Sequence, residues 1–147
     1  MELWELVARE SIRDLVARYN ANGDTGRFDL VVELFAPDAV MHAGDGVAPR
    51  VGREQIRTIF TGARDGARFG DRPVYLRHNT GTLQIDVIDE DHAHSRCYYF
   101  VFTDVGLDHW GRYVDEFKKV DGVWRFSSRR VTTDGKNLDS LFLPDPD

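Results

Sequence analysis

Histidine and carboxylate side chains are the first candidates for chemistry, and His78 is the best placed of them. It stands near the start of residues 75–88, a run rich in β-branched and apolar residues that closes on Asp89, Glu90 and Asp91. That pattern predicts a long strand ending in a turn. Asn79, Thr80, Gly81 and Thr82 follow the histidine, and the glycine predicts a bulge or bend. A bent strand carrying a histidine among small polar groups makes a plausible pocket wall. An imidazole that is neutral, oriented and shielded from bulk water can take a proton from carbon.

The other candidates carry weaker patterns. His92 and His94 would share a strand face, as a metal pair does. Ala93 and Cys97 set the inward face of that strand, so both histidines are expected in solvent and no metal site is expected. His42 and His109 border predicted loops and could line a pocket mouth, but no carboxylate is paired with either. Arg129 and Arg130 are neighbours on a strand, so only one faces inward unless a bulge intervenes. An inward arginine would bind an anionic group or anchor an acid; two surface arginines are the alternative. Cys97, the single cysteine, reads as a small buried apolar residue. Gly44-Asp45-Gly46 lacks the later glycine of a phosphate loop.

The elements that must position these residues follow from periodicity. Ile12, Leu15, Val16 and Tyr19 fall at i, i+3, i+4 and i+7, which predicts a helix over 3–21 that stops at Asn22-Gly23. A second short helix is expected over 25–35, ended by Pro37-Asp38, with a short strand over 39–42. A third begins near Arg53 and carries Ile56, Ile59 and Phe60. Residues 61–73 read as loop. Strands are expected over 75–88, 93–105, 110–120 and 123–133, joined by short turns at 89–92, 106–109 and Asp121-Gly122. Asp-Gly between two apolar runs is a strong hairpin signal. Helices followed by a meander predict an α+β fold, a curved antiparallel sheet with three N-terminal helices packed on its concave face. Residues 134–147 read as a tail whose Leu138, Leu141, Phe142 and Leu143 could dock on the body or on a second subunit.

Bulk properties bound the partners. The chain of 147 residues fits a single domain, 1–147, and 41% hydrophobic with 30% charged residues is ordinary for a globular protein. A net charge of -6 argues against nucleic acid and against an anionic membrane surface. No apolar run reaches bilayer length, and the first residues lack a signal-peptide pattern, so a cytoplasmic location is the default expectation. Tyr98, Phe100 and Phe102 alternate onto the outward sheet face, which predicts a homo-oligomer, most simply a dimer.

The run from Ile12 to Tyr19, Asp24, Phe28-Asp29 and the stretch Leu34 to Ala39 resemble the N-terminal half of SnoaL-like proteins of the nuclear-transport-factor-two-like superfamily. Gly52 to Ile56, Arg77-His78, Gly111-Arg112-Tyr113-x-Asp115-x-Phe117 and Asp121-Gly122-x-Trp124-Arg125-Phe126 extend the likeness over residues 5–133. The resemblance implies a cone-shaped α+β barrel. Within the superfamily the spacing is most similar to scytalone dehydratases and hexachlorocyclohexane dehydrochlorinases, which use an Asp–His dyad. Asp24 and His78 stand at the matching positions, although Asp24 would also suit a helix cap before Thr25. The dehydrochlorinases carry a lysine five residues before that aspartate; this chain has Tyr19 there.

The resemblance implies a lyase or isomerase working by proton transfer, without a cofactor, on a small apolar polyketide-, steroid- or terpenoid-like ligand. Asp24 would orient His78, His78 would move the proton, and Tyr19, Tyr113 and Arg129 would bind the ligand. A non-catalytic ligand-binding or dimerisation domain on the same fold is the competing expectation.

Overall fold

The structure is a computed structural model and describes residues 1–66 and 68–142, the side chains of 68 and 69 excepted. Helix α1 (Leu3–Asp24) buries Ala8, Ile12, Leu15, Val16, Tyr19 and Asn20 along one side, the stripe that the helical spacing marks out. It runs three residues past the expected stop, through Asn22-Gly23. Helix α2 (Phe28–Glu33) is shorter than expected. Strand β1 (Phe35–His42) starts earlier than expected, because Pro37 sits inside it at an irregularity between Phe35 and Val40. Proline is tolerated in a strand where the ladder is already broken. After β2 (Arg50–Val51), helix α3 (Arg53–Gly66) and the two-stranded β3 (Arg68–Phe69) and β4 (Arg72–Pro73) fill what the sequence reads as loop.

The long strands are β5 (Arg77–Val87), β6 (His92–Thr103), β7 (Gly106–Val120) and β8 (Val123–Lys136). The six-stranded sheet has the order β2-β1-β8-β7-β6-β5. The four long strands form the expected antiparallel meander, but β1 pairs parallel to β8, so the sheet is mixed rather than wholly antiparallel. Chain order explains this: β1 reaches the sheet through helices, not a hairpin, so its direction is free of the meander's alternation. Asp121 and Gly122 join β7 to β8 with φ of 51° and 77°, the left-handed pair that a tight hairpin turn demands.

Strand β6 alternates without a fault. Ala93, Ser95, Cys97, Tyr99, Val101 and Thr103 are buried, and the residues between them, His92 and His94 included, are exposed. Helix α1 lies on that inner face and packs on β5. Arg9 near its start donates to the carbonyl of Ile85 at 2.6 Å, and Asp24 at its end reaches His78. Fifteen residues of helix cover ~22 Å. The seven residues between His78 and Ile85 cover ~23 Å of strand. The two elements run antiparallel in step, and that match delivers Asp24 to the start of β5.

Candidate active site

Asp24 holds His78 by two bonds. The Nδ1–H of His78 donates to Oδ1 at 2.6 Å, and its backbone N–H donates to Oδ2 at 2.8 Å. The carboxylate does not cap a helix. It is the last residue of α1, and α2 starts from Arg27 with no side-chain cap. The C-terminal end of a helix is the wrong pole for a negative charge. The bonds to His78 are what keep it there, and they leave Nε2 as the free ring nitrogen.

A cavity of ≈ 260 Å³ opens beside the pair. Phe28, Met41, Ile59, Phe60, Leu76 and Val131 form its apolar walls. Its polar end is made by His78, Tyr99, His109, Tyr113, Thr133 and Asn20. Tyr19 also lines it, edge-on to Phe60 and Tyr113. Burial pushes the Tyr19 hydroxyl up to about 12 and the Tyr113 hydroxyl well above its ordinary value, against the pull of Arg129, so both stay protonated. Tyr113 donates to Asn20 Oδ1 at 3.3 Å.

His109 is the residue that the sequence reading left without a partner. It is 3% exposed, and its Nδ1–H donates to Asp108 Oδ1 at 2.6 Å. Its ring lies 6.3 Å from that of His78, edge to face. Asp108 and His109 both belong to β7 rather than to a loop. Val101 pairs with His109 and Phe102 with Leu107, so Asp108 is the extra residue of a bulge. A bulge breaks the two-residue alternation, and adjacent side chains can then both turn inward. Burial lowers the His109 pKa against the raising effect of Asp108, which keeps the ring neutral. Burial would raise Asp108, but hydrogen bonds from Ser140, His109, Leu141 and Thr103 outweigh it and hold the carboxyl below the ordinary range. The adjacent pair Asp108-His109 was the available signal, and its apparent loop position hid it.

Arg129 faces inward, but it lies behind the cavity wall rather than in it. It is fully buried, and it donates from Nε and Nη2 to Asp115 at 2.7 and 2.9 Å. Its guanidinium lies 4.0 Å from the ring centroids of both Tyr19 and Tyr113. The physical reason is that Asp115 and the faces of Tyr19, Tyr113 and Phe126 hold the cation beneath the lining, where its Nη1 is buried without a hydrogen-bond partner. Arg129 therefore anchors Asp115 and the two tyrosine rings, and a ligand meets the rings first. Cys97 is buried, and burial pushes its thiol up to about 11, so it is no nucleophile at neutral pH. Among the described residues no cluster of three or more His, Cys, Asp and Glu could hold a metal ion, and no helix is long and apolar enough to cross a membrane. Of the tail, Leu141 and Phe142 dock on the body, Leu138 is 90% exposed, and Leu143 lies outside the described residues.

Comparison with known proteins sets this arrangement in context. The fold matches that of a candidate scytalone dehydratase from Novosphingobium aromaticivorans, with a TM-score of 0.81, 20% identity and 99% of this chain and 97% of that one covered. LinA gives a TM-score of 0.78 at 19% identity, with 98% of each chain covered. A protein of Catenulispora acidiphila solved in complex with S-DNPA gives 0.74 at 25% identity, covering 88% of this chain and 95% of that one. No curated protein matches the chain significantly. The solved neighbours include proteins of the NTF2-like, or cystatin-like, fold. The model of the SnoaL-like domain matches residues 4–130, and the chain belongs to that family.

Proposed function

We propose that the chain is a cofactor-independent lyase or isomerase, acting in the cytoplasm on a small, largely apolar ligand of polyketide-, steroid- or terpenoid-like character. The observation that carries this reading is the pair of carboxylate-bound histidines 6.3 Å apart at the polar end of an apolar cavity. The neighbours support it in kind, since they include a candidate dehydratase and a protein solved with a small molecule bound.

Asp24 fixes the tautomer of His78 so that Nε2 carries the lone pair, and it stabilises the imidazolium once a proton arrives. Nε2 takes a proton from a carbon next to a carbonyl, and the C–H electron pair moves into an enolate. Returning that proton to another carbon gives isomerisation. Giving it to a neighbouring hydroxyl, as the C–O bond breaks, gives an alkene and water. His109, neutral and with its own Nε2 free, accepts a hydrogen bond from the ligand's hydroxyl and sets it on the His78 side. Tyr19 donates to the carbonyl oxygen where charge develops.

Native mass spectrometry of the purified protein reads any retained ligand and names its class. Exchange in deuterium oxide then tests the chemistry. Incubated with that ligand, or with a panel of cyclic β-hydroxy ketones, the wild type should exchange the α C–H and His78→Ala should not. A protein that binds the ligand without exchanging or converting it is the non-catalytic binding domain instead.

A further inference from the structure

The chain continues past β8 into residues 137–142, which no step above uses. The backbone N–H of Asn137 donates to the Asp108 carbonyl at 2.6 Å, and Asn137 Nδ2 donates to the Leu107 carbonyl at 3.3 Å. A bulge leaves backbone groups outside the ladder, and this segment takes them up. Three residues further on it turns inward. Ser140 Oγ donates to Asp108 Oδ1 at 2.6 Å, and the Leu141 N–H donates to Oδ2 at 2.9 Å. The Phe142 ring then stacks on His109, 5.2 Å between centroids and 8° from parallel.

We infer that the segment after β8 is part of the site, and that Ser140 is a positioning residue acting through Asp108 on His109. This rests on the reading of His109 as a ligand-facing group. Valence at the carboxylate is the reason. An ionised carboxylate offers about four lone-pair sites and no proton. At Asp108, Oδ1 receives His109 and Ser140, and Oδ2 receives Thr103 and Leu141. Two of these four donors come from the segment. With them in place Asp108 stays ionised although it is wholly buried, so His109 must donate from Nδ1 and keep Nε2 open to the cavity. Without them a buried carboxylate would hold only two partners, and nothing would compel the tautomer. The contacts at Asp108 hold the segment together with the Phe142 stack, since Leu138, its first apolar residue, is exposed.

The charged and titratable groups around His109 are Asp108 on its own strand, His78 on β5, Tyr99 on β6 and its cross-strand partner Lys136 on β8. The test is nitrogen-15 NMR of the histidine rings in the full chain, with no ligand needed. In the wild type His109 should show the Nδ1–H tautomer at neutral pH. Ser140→Ala should mix the tautomers and move the His109 titration midpoint downward by about half a unit, because a buried carboxylate with fewer donors is less firmly ionised and supports the imidazolium less. Ser140→Thr should restore both readings, and His78 should not change in either variant. Phe142→Ala should instead raise the midpoint, by letting water reach the ring. An unchanged His109 tautomer and midpoint in Ser140→Ala, or an equal shift at His78, would overturn the inference. These readings do not depend on turnover, so failure of the proposed chemistry leaves them interpretable.

Discussion

Asp24 and His109 make opposite demands on protons, and each demand can be measured. Asparagine at position 24 keeps the shape and the acceptor for the His78 backbone N–H. Its amide nitrogen, however, would donate to Nδ1 and drive the ring proton to Nε2. Asp24→Asn should therefore leave ligand binding nearly unchanged and cut turnover by about a hundredfold or more, read as kcat against Kd. At His109 the consequence falls on stability. Its folded pKa lies below the ordinary 6.5 because burial disfavours the cation. Above that value neither the folded nor the unfolded state holds the proton, and stability is full. As pH falls through 6.5 the unfolded chain gains a proton that the folded ring refuses, so stability declines until the folded value is reached. Urea unfolding at pH 7.5 and 5.5 should show a smaller loss on acidification in His109→Gln than in the wild type.

Among the elements, β7 decides most. Its inward row of His109, Gly111, Tyr113, Asp115 and Phe117 follows ordinary alternation, and the bulge adds Asp108 to it. Gly111 lies where β7 and β8 shift register, and a Cβ there would sit 1.9 Å from the Thr132 carbonyl oxygen and 2.9 Å from the Tyr99 hydroxyl. Gly122 is different: its space is open, and only its φ of 77° resists a side chain. Gly122→Ala should cost about 1–2 kcal/mol, the left-handed penalty alone. Gly111→Ala should cost clearly more and displace Tyr99, seen as a lower urea midpoint and a changed Tyr99 environment by NMR. The Asp-Gly turn was legible because it is a local matter of two φ angles. The bulge at Asp108 was not, because it is set by the register of β6 against β7.

At the scale of the whole molecule, the outer sheet face leaves an apolar surface uncovered among the described residues. On the outer sheet face Phe100 pairs with Trp110 and Phe102 with Leu107 across β6 and β7, and all four are at least 37% exposed. We expect a second copy to cover this face. Light scattering at micromolar concentration should exceed the 16.8 kDa monomer mass, and Phe100→Glu with Trp110→Arg should return the protein to it. The sequence by itself determined what depends on neighbours in the chain: the buried stripe of α1, the alternation of β6, the tight turn at Asp121-Gly122 and the α+β order. Through likeness to its family it also marked Asp24 and His78. Only the tertiary structure decided that β1 lies parallel to β8, that Arg129 sits behind the tyrosines, and that Asp108 and His109 both face inward under residues 140–142. Periodicity records which way a side chain points within a regular element. Strand pairing, bulges and the path of a terminal segment are fixed by groups far apart in sequence, and no spacing along the chain encodes them.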